Sequence, residues 1–186
     1  NDKSLSKHLS SRKKVEEILN TGTFATTTLR AGIIVGSGSA SFEIIRDLVN
    51  KLPIMITPKW LNTKCQPIAI PDVLDFLSKS LLNPVTYHQS FDIGGSDIIT
   101  YKEMLLGFAA AKKLKRWIVT IPIMTPKLSS YWLYFVTSTS YRLASALVSS
   151  MKVEVICSDN RINTLLNVTP MSYQQALSRA LIKVDE

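Results

Sequence analysis

The run from Phe24 to Gly36, FATTTLRAGIIVG, constrains this chain more than any other stretch. It is rich in β-branched residues and nearly free of charge, which predicts a strand buried on both faces. Arg30-Ala31-Gly32 in its middle predicts a bend. Such a strand needs helices to cover it, and helical patterns flank it on both sides. Before it, Leu5, His8, Arg12, Val15 and Leu19 recur at three- and four-residue spacing, which predicts a helix over 4–19 stopped by Asn20-Thr21-Gly22. His8 and Arg12 are polar members of an otherwise apolar stripe, so that face should border a cleft or carry partners. After it, the turn Gly36-Ser37-Gly38-Ser39 leads into a predicted helix over 41–51, with Phe42, Ile45, Leu48 and Val49 on one face.

The alternation continues. Strands are expected at 54–57, closed by Pro58, and at 68–70, with a loop over 61–67 between them. Pro71 and a capping Asp72 open a helix over 73–82. A strand over 89–93 ends at the turn Gly94-Gly95, and Thr100 with Glu103 forms a capping box for the next helix. A strand over 117–122 follows. From Pro126 the chain reads as mostly helical, with an extended piece at 153–157 and two short helices ending near Lys183. The pattern predicts an α/β architecture, residues 1–122, with a helix-rich region, residues 123–186.

Composition enters mainly by exclusion. Of 186 residues, 46% are hydrophobic and 19% charged, an ordinary globular balance. The net charge of +8 comes partly from Lys3, Lys7, Arg12, Lys13 and Lys14 and from Lys112, Lys113, Lys115 and Arg116. These clusters are short and lack interleaved aromatics, so they read as solvated surface, and nucleic acid is not an expected partner. The tract Leu128 to Val148 contains Arg142 and many hydroxyls, which points to buried or interface helices and away from a membrane span. Cys65 and Cys157 stand alone, without metal-ligand spacing, and read as two buried reduced thiols in a cytoplasmic protein. The chain opens at Asn1 with no signal peptide and no strand before its first helix, which reads as a fragment of something longer. No nucleophile-elbow turn supports a hydrolase. Asp92 and Asp97 are not spaced as a catalytic pair, and His88 reads as a surface loop residue.

Four segments, in order, carry a resemblance. They are His8-Leu9-Ser10-Ser11-Arg12 with Glu16 four residues on, Leu29-Arg30-Ala31-Gly32-Ile33-Ile34-Val35-Gly36-Ser37-Gly38, Ile68-Ala69-Ile70-Pro71-Asp72-Val73, and Phe91-Asp92-Ile93-Gly94-Gly95. Together they resemble the second half of the extended and atypical short-chain dehydrogenase/reductase superfamily, the NAD-dependent epimerase/dehydratase-like and NmrA-like proteins. The resemblance implies the carboxyl-terminal half of a doubly wound Rossmann-like sheet with a small helix-rich substrate or cap region. It also implies NAD or NADP as cofactor and a small-molecule substrate.

In that superfamily a Tyr-x-x-x-Lys pair does the chemistry. Here His8 takes the Tyr frame and Arg12 the Lys frame. His8 can shuttle protons near neutral pH, whereas Arg12 stays charged and is not a simple replacement for Lys. The resemblance puts Arg12, Ala31, Gly32 and Ile33 beside the cofactor. Loops at the carboxyl ends of strands line the crevice of such sheets, which adds Ser37, Ser39, Phe42, Arg46, Trp60, Lys64 and Gln66 as substrate-side candidates. The glycine-rich phosphate loop has no match here, so this chain alone is expected to bind neither NAD nor NADP well. Three functions stay open: an atypical oxidoreductase of the epimerase/dehydratase kind, a non-catalytic NAD(P)-sensing or scaffold protein on the same fold, and a basic nucleic-acid- or membrane-surface-binding domain. Self-association is open as well.

Overall fold

A computed structural model describes residues 7–121 and 150–182 of the protein, and the backbone alone for 7–9. The expected tract Leu128–Val148 lies outside the described residues. Helices are α1 (Lys7–Asn20), α2 (Ala40–Lys51), α3 (Ile70–Ser80), α4 (Tyr101–Ala111), α5 (Arg161–Leu165) and α6 (Tyr173–Ile182). Strands are β1 (Thr27–Ala31), β2 (Ile33–Val35), β3 (Ile54–Pro58), β4 (Lys64–Cys65), β5 (Pro67–Ala69), β6 (Gln89–Ile93), β7 (Ile99–Thr100) and β8 (Trp117–Ile121). Short 3₁₀ turns occupy Lys59–Asn62 and Pro84–Thr86.

The run that opened the sequence forms two strands with different partners. β1 pairs in parallel with β6, Thr27 facing Gln89 and Ala31 facing Ile93. After Gly32, β2 pairs in parallel with β5. The bend expected at Arg30-Ala31-Gly32 is therefore a change of partner. The glycine lets another segment come close, because a Cβ on Gly32 would meet Val155 Cγ1 at 2.5 Å. β3 and β8 make a third parallel pair, and β4 and β7 an antiparallel one.

Strand alternation sorts side chains into two cores. Ile33 and Val35 of β2 and Ala69 of β5 face a core with Phe42, Leu48, Phe108 and Leu177 from α2, α4 and α6. Ile34 and Ile68 face the other way, with Phe76, Phe91 and Ile162 from α3, β6 and α5. Phe42 and Phe108 meet edge to face, centroids 5.6 Å apart, which locks α2 against α4. The β2–β5 pair is thus covered on both faces, as its sequence demanded.

Local chemistry sets the helix ends. Ser39 caps α2, its Oγ accepting from Phe42 N (3.3 Å) and donating to Ile34 O (2.9 Å). At the other end, Arg116 Nε donates to Val49 O (2.5 Å), so one member of the basic cluster satisfies an orphan carbonyl. The Thr100–Glu103 capping box forms as expected. The cap expected from Asp72 does not form. α3 begins at Ile70 with Ala69 at its N-cap, and buried Asp72 instead accepts from Met171 N (2.8 Å), tying α3 to the approach of α6. The face of α1 that carries Arg12, Val15 and Leu19 borders a cleft, as its polar members led one to expect, with Val15 and Leu19 49% and 44% exposed. The side chain α1 turns toward the strands is Glu16.

Gly95 N donates to Pro67 O (3.1 Å), and a Cβ on Gly95 would run into that same carbonyl oxygen. The obstacle is backbone at the end of β5, which cannot swing aside. Gly95→Ala should therefore cost about 2 kcal/mol or more, lowering the thermal midpoint by at least about 5 °C in a chain of this size. Circular dichroism melting of the two proteins checks this.

Candidate functional site

A polar network joins α1 to the first parallel pair. Arg30 and Asp92 are register partners on β1 and β6. The Arg30 guanidinium grips Glu16 with two hydrogen bonds, Nε to Oε2 at 3.0 Å and Nη2 to Oε1 at 2.6 Å, and lies 3.6 Å from Asp92. Ser90 Oγ donates to Glu16 Oε1 (2.5 Å), while the Ser158 N–H (2.9 Å) and hydroxyl (2.6 Å) donate to Asp92 Oδ2. The Arg30 hydrogen bonds hold the Glu16 carboxyl below its ordinary value, against the opposing effect of burial. Next to Asp92 on β6, Phe91 carries the guanidinium of Arg161, from α5, over its ring at 4.7 Å.

This network floors a cavity of about 1190 Å³. The cavity opens where β1 and β6 end, at Ala31 and Ile93, the place where open α/β sheets take ligands. Its charged lining residues are Arg12, Lys13, Glu16, Glu17, Arg30 and Asp92, all on α1, β1 and β6. The rest of its described wall carries no charge: Ile44, Ile45 and Leu48 of α2, Trp60 and Leu61, Met104 and Leu105 of α4, and Met151, Val155, Ile156 and Cys157.

The residues singled out in the sequence divide. Arg12, Ala31, Gly32, Ile33, Trp60 and Gln66 line this cavity, with Arg12 exposed at its mouth. The His8 side chain lies outside the described residues. Ser37 is exposed on the turn before α2, and Ser39 spends its hydroxyl on the cap. Phe42 is core, Arg46 pairs with Glu43 and Asp47 on its own helix, and Lys64 is exposed on β4, so none of these lines the cavity. Gln66, although in the wall, has both ends of its amide engaged: Nε2 donates to Gly95 O (2.7 Å) and Oε1 accepts from Cys157 N (3.0 Å). Its geometry is that of a bracket between segments.

Sequence reasoning missed Thr57, Tyr101, Met104 and the 155–157 segment. Thr57 had no motif around it, and Tyr101 sat inside the Thr100–Glu103 capping box, which marks a helix start and not a ligand site. Segment 155–157 follows a long stretch of chain, and it is brought in by a bridge from Val155 to Cys65, by backbone bonds at Gln66 and Lys64, and by the Cys157 N–H on the Gln66 amide.

The two cysteines are free. Burial, then the charge of Glu103, pushes the Cys65 thiol up to about 12. Burial, then the charge of Asp92, pushes Cys157 up to about 11, although Cys157 is only half-buried, a correction to the expectation of two buried thiols. Neither is a thiolate near neutral pH, so the cavity holds no activated sulfur nucleophile. Among the described residues no group of three His, Cys, Asp or Glu could hold a metal ion, and no helix is long and apolar enough to cross a membrane.

No protein-family model and no curated protein sequence matches this chain. Solved structures do match in three dimensions. A nucleoside-diphosphate-sugar epimerase from Staphylococcus aureus superposes with a TM-score of 0.66 at 16% identity, over 89% of this chain and 56% of that one. An NADPH-dependent quinone oxidoreductase from Escherichia coli, complexed with NADPH, gives 0.68 at 13% identity, over 89% and 57%. The Bordetella bronchiseptica enzyme WbmH, in complex with NAD+, gives 0.59 at 10% identity, over 92% and 49%. The fold is Rossmann-like. The chain spans roughly half of each of these structures, and the α/β class and partial Rossmann-like architecture expected from its sequence hold.

Two measurements test the site's electrostatics. Because the ion pair lowers the Glu16 pKa, its stabilisation is complete above the ordinary value of 4.5 and is lost as pH falls through the lower folded value. Glu16→Gln should destabilise by about 1 kcal/mol near neutral pH, and urea melts of mutant and parent should converge in acid below that range. Ellman's reagent at pH 8 should react with Cys157 and Cys65 at least about tenfold more slowly in the native chain than in urea.

Proposed function

We propose that this chain supplies the nicotinamide and substrate side of an atypical NAD(P)-dependent oxidoreductase of the epimerase/dehydratase or reductase kind. The observation that carries the reading is a convergence. Arg12, Ala31, Gly32 and Ile33, which the resemblance assigns to the cofactor, all line one cavity at the carboxyl ends of parallel strands. The solved structures of like fold include chains complexed with NADPH and with NAD+.

The residues fit the nicotinamide end of such a cofactor. Arg12 offers an always-charged fork at the cavity mouth, suited to a ribose hydroxyl or a phosphate. Exposed Gly32 offers backbone without a side chain. A bound nicotinamide would supply hydride transfer. The chain's own part would be to hold and orient the ring, shield it with an uncharged wall, and move a proton at the imidazole of His8, one helical turn before Arg12. The Gly36–Gly38 turn does not fit a phosphate cradle: Ser39 Oγ closes onto Ile34 O, and Gly38 N donates to Glu43 Oε1 (3.1 Å). The pyrophosphate would therefore bind outside this chain. A second reading, cofactor binding without turnover, is favoured by His8 and Arg12 standing where the superfamily has Tyr and Lys.

The division of the cofactor gives the test. Reduced nicotinamide mononucleotide should bind the chain about as tightly as NADH, because the adenosine half finds no site. Arg12→Ala should weaken both about fivefold, the scale of one charge-assisted hydrogen bond. Nicotinamide fluorescence reports both. Binding of ADP in preference to the mononucleotide, or binding of neither nicotinamide compound, would count against the proposal. Cofactor-dependent turnover unchanged in His8→Ala would remove the proton role and favour the second reading.

A further inference from the structure

The cavity is divided by polarity, and its uncharged side holds donors with nothing to donate to. Thr57 Oγ1 and Trp60 Nε1 are buried without a hydrogen-bond partner. Tyr101 is 6% exposed, lines the same cavity, and makes no side-chain hydrogen bond among the described residues. These three residues belong to one part of the wall. Thr57 is the next-to-last residue of β3, Trp60 lies in the 3₁₀ turn that follows, and Tyr101 N donates to Thr63 O (3.3 Å), anchoring α4 to the same connection. Buried donors are nearly always paired, because an unpaired one forfeits its bond to water and gains nothing. Two of them on one stretch of the wall, with the unengaged Tyr101 hydroxyl beside them, call for an acceptor that arrives with a ligand.

The charges say what that ligand is not. A diphosphate-bearing substrate needs cations or converging N–H groups. Among the described residues the cavity's cations, Arg12, Lys13 and Arg30, lie on α1 and β1, and the Arg30 guanidinium is committed to Glu16 and Asp92. The described wall formed by α2, the 57–61 connection, α4 and 151–157 is uncharged and mostly aliphatic, thioether and aromatic around the donors, with the Ser41 hydroxyl and the Cys157 thiol as its other polar groups. The volume exceeds the range that ordinary small-molecule sites occupy, up to about 1,000 Å³. A nicotinamide and a second ring system can share it.

We infer that the uncharged side of this cavity takes a largely apolar carbonyl compound, an aromatic or alicyclic ketone in class, its oxygen accepting from the Tyr101 hydroxyl and from the donors of Trp60 and Thr57. The inference deepens the reading of this cavity as a substrate site, and rests on it. Burial, then the charge of Cys65, holds the Tyr101 phenol well above its ordinary value of 10, so it stays a donor through the neutral range. Trp60 is half-buried and packs against the core, with its indole N–H on the buried side. The same apolar wall disfavours a nucleotide sugar, whose hydroxyls and phosphates would be desolvated without partners.

Calorimetric titration of the full chain with benzophenone, with diphenylmethane and with UDP-glucose tests this. Benzophenone should bind saturably and about fivefold more tightly than diphenylmethane, which has the same rings without the oxygen. UDP-glucose should give no binding. Tyr101→Phe and Trp60→Phe should each bring the benzophenone affinity down toward that of diphenylmethane and leave diphenylmethane unchanged. Equal binding of the two ring compounds by the parent chain would overturn the inference without any variant, as would binding of UDP-glucose in place of benzophenone. The mononucleotide titration separates the two readings. If benzophenone binds and the nicotinamide does not, the oxidoreductase proposal fails and the apolar carbonyl site stands. The reverse result removes the carbonyl site alone.

Discussion

The amide of Gln66 is the constraint on which the cavity's shape depends. It is buried where β4 gives way to β5, and it holds three separate stretches of chain together. Its N–H group donates to Gly95 beyond β6, its oxygen accepts from Cys157, and its backbone N–H donates to Val155 O (3.0 Å). A Cβ on Gly94 would meet the same side chain at 2.7 Å, so the glycine lets the amide lie flat against the end of β6. Remove that amide and two polar backbone groups lose their partners in a buried place, a larger loss than one hydrogen bond. The segment carrying Val155, Ile156 and Cys157 would then be held as a wall of the cavity by the backbone bonds of Val155 to Lys64 and Gln66 and by Ser158 on Asp92.

From that bracket the polarity of the cavity follows. β1 and β6 present Arg30, Ser90 and Asp92 on one face, and Glu16 and Ser158 close over them, so charge is concentrated and paired on that side. β2 and β5, one residue beyond the change of partner at Gly32, have no polar side chain to offer there, and α2 and α4 bring uncharged ones, apolar except for Ser41 and Tyr101. A change of partner in the middle of one extended run thus places a charged wall beside an apolar one. Such an arrangement suits a polar cofactor meeting a greasy substrate, and the two proposals divide along it.

What could be read in advance was whatever local chemistry decides. The strand–helix alternation, the Thr100–Glu103 capping box, the glycines at the ends of β1 and β6 and the position of Arg12 were legible because each is set by residues within a few positions of one another. Asp72 was misjudged as a cap because its pattern, a carboxylate behind a proline at a helix start, fits a cap equally well. Its actual partner, Met171, is 99 residues away. Glu16 was missed for a similar reason. Periodicity put Arg12, Val15 and Leu19 on the cleft side of α1, where they lie, but gave no sign that a bidentate arginine on β1 and a serine on β6 would draw Glu16 in beside them.

By itself, then, the sequence determined the class of fold and the place of the crevice, because buried β-branched runs between amphipathic helices admit few other arrangements and ligands collect at the ends of such strands. Tertiary structure alone decided which side chains the crevice keeps available. Ser39, Arg46 and the Gln66 amide are consumed by caps, ion pairs and backbone groups, while Thr57, Trp60 and Tyr101 are left without partners. The physical reason is that a polar side chain's role depends on which other groups have already satisfied it, and those groups come from parts of the chain that no local pattern connects.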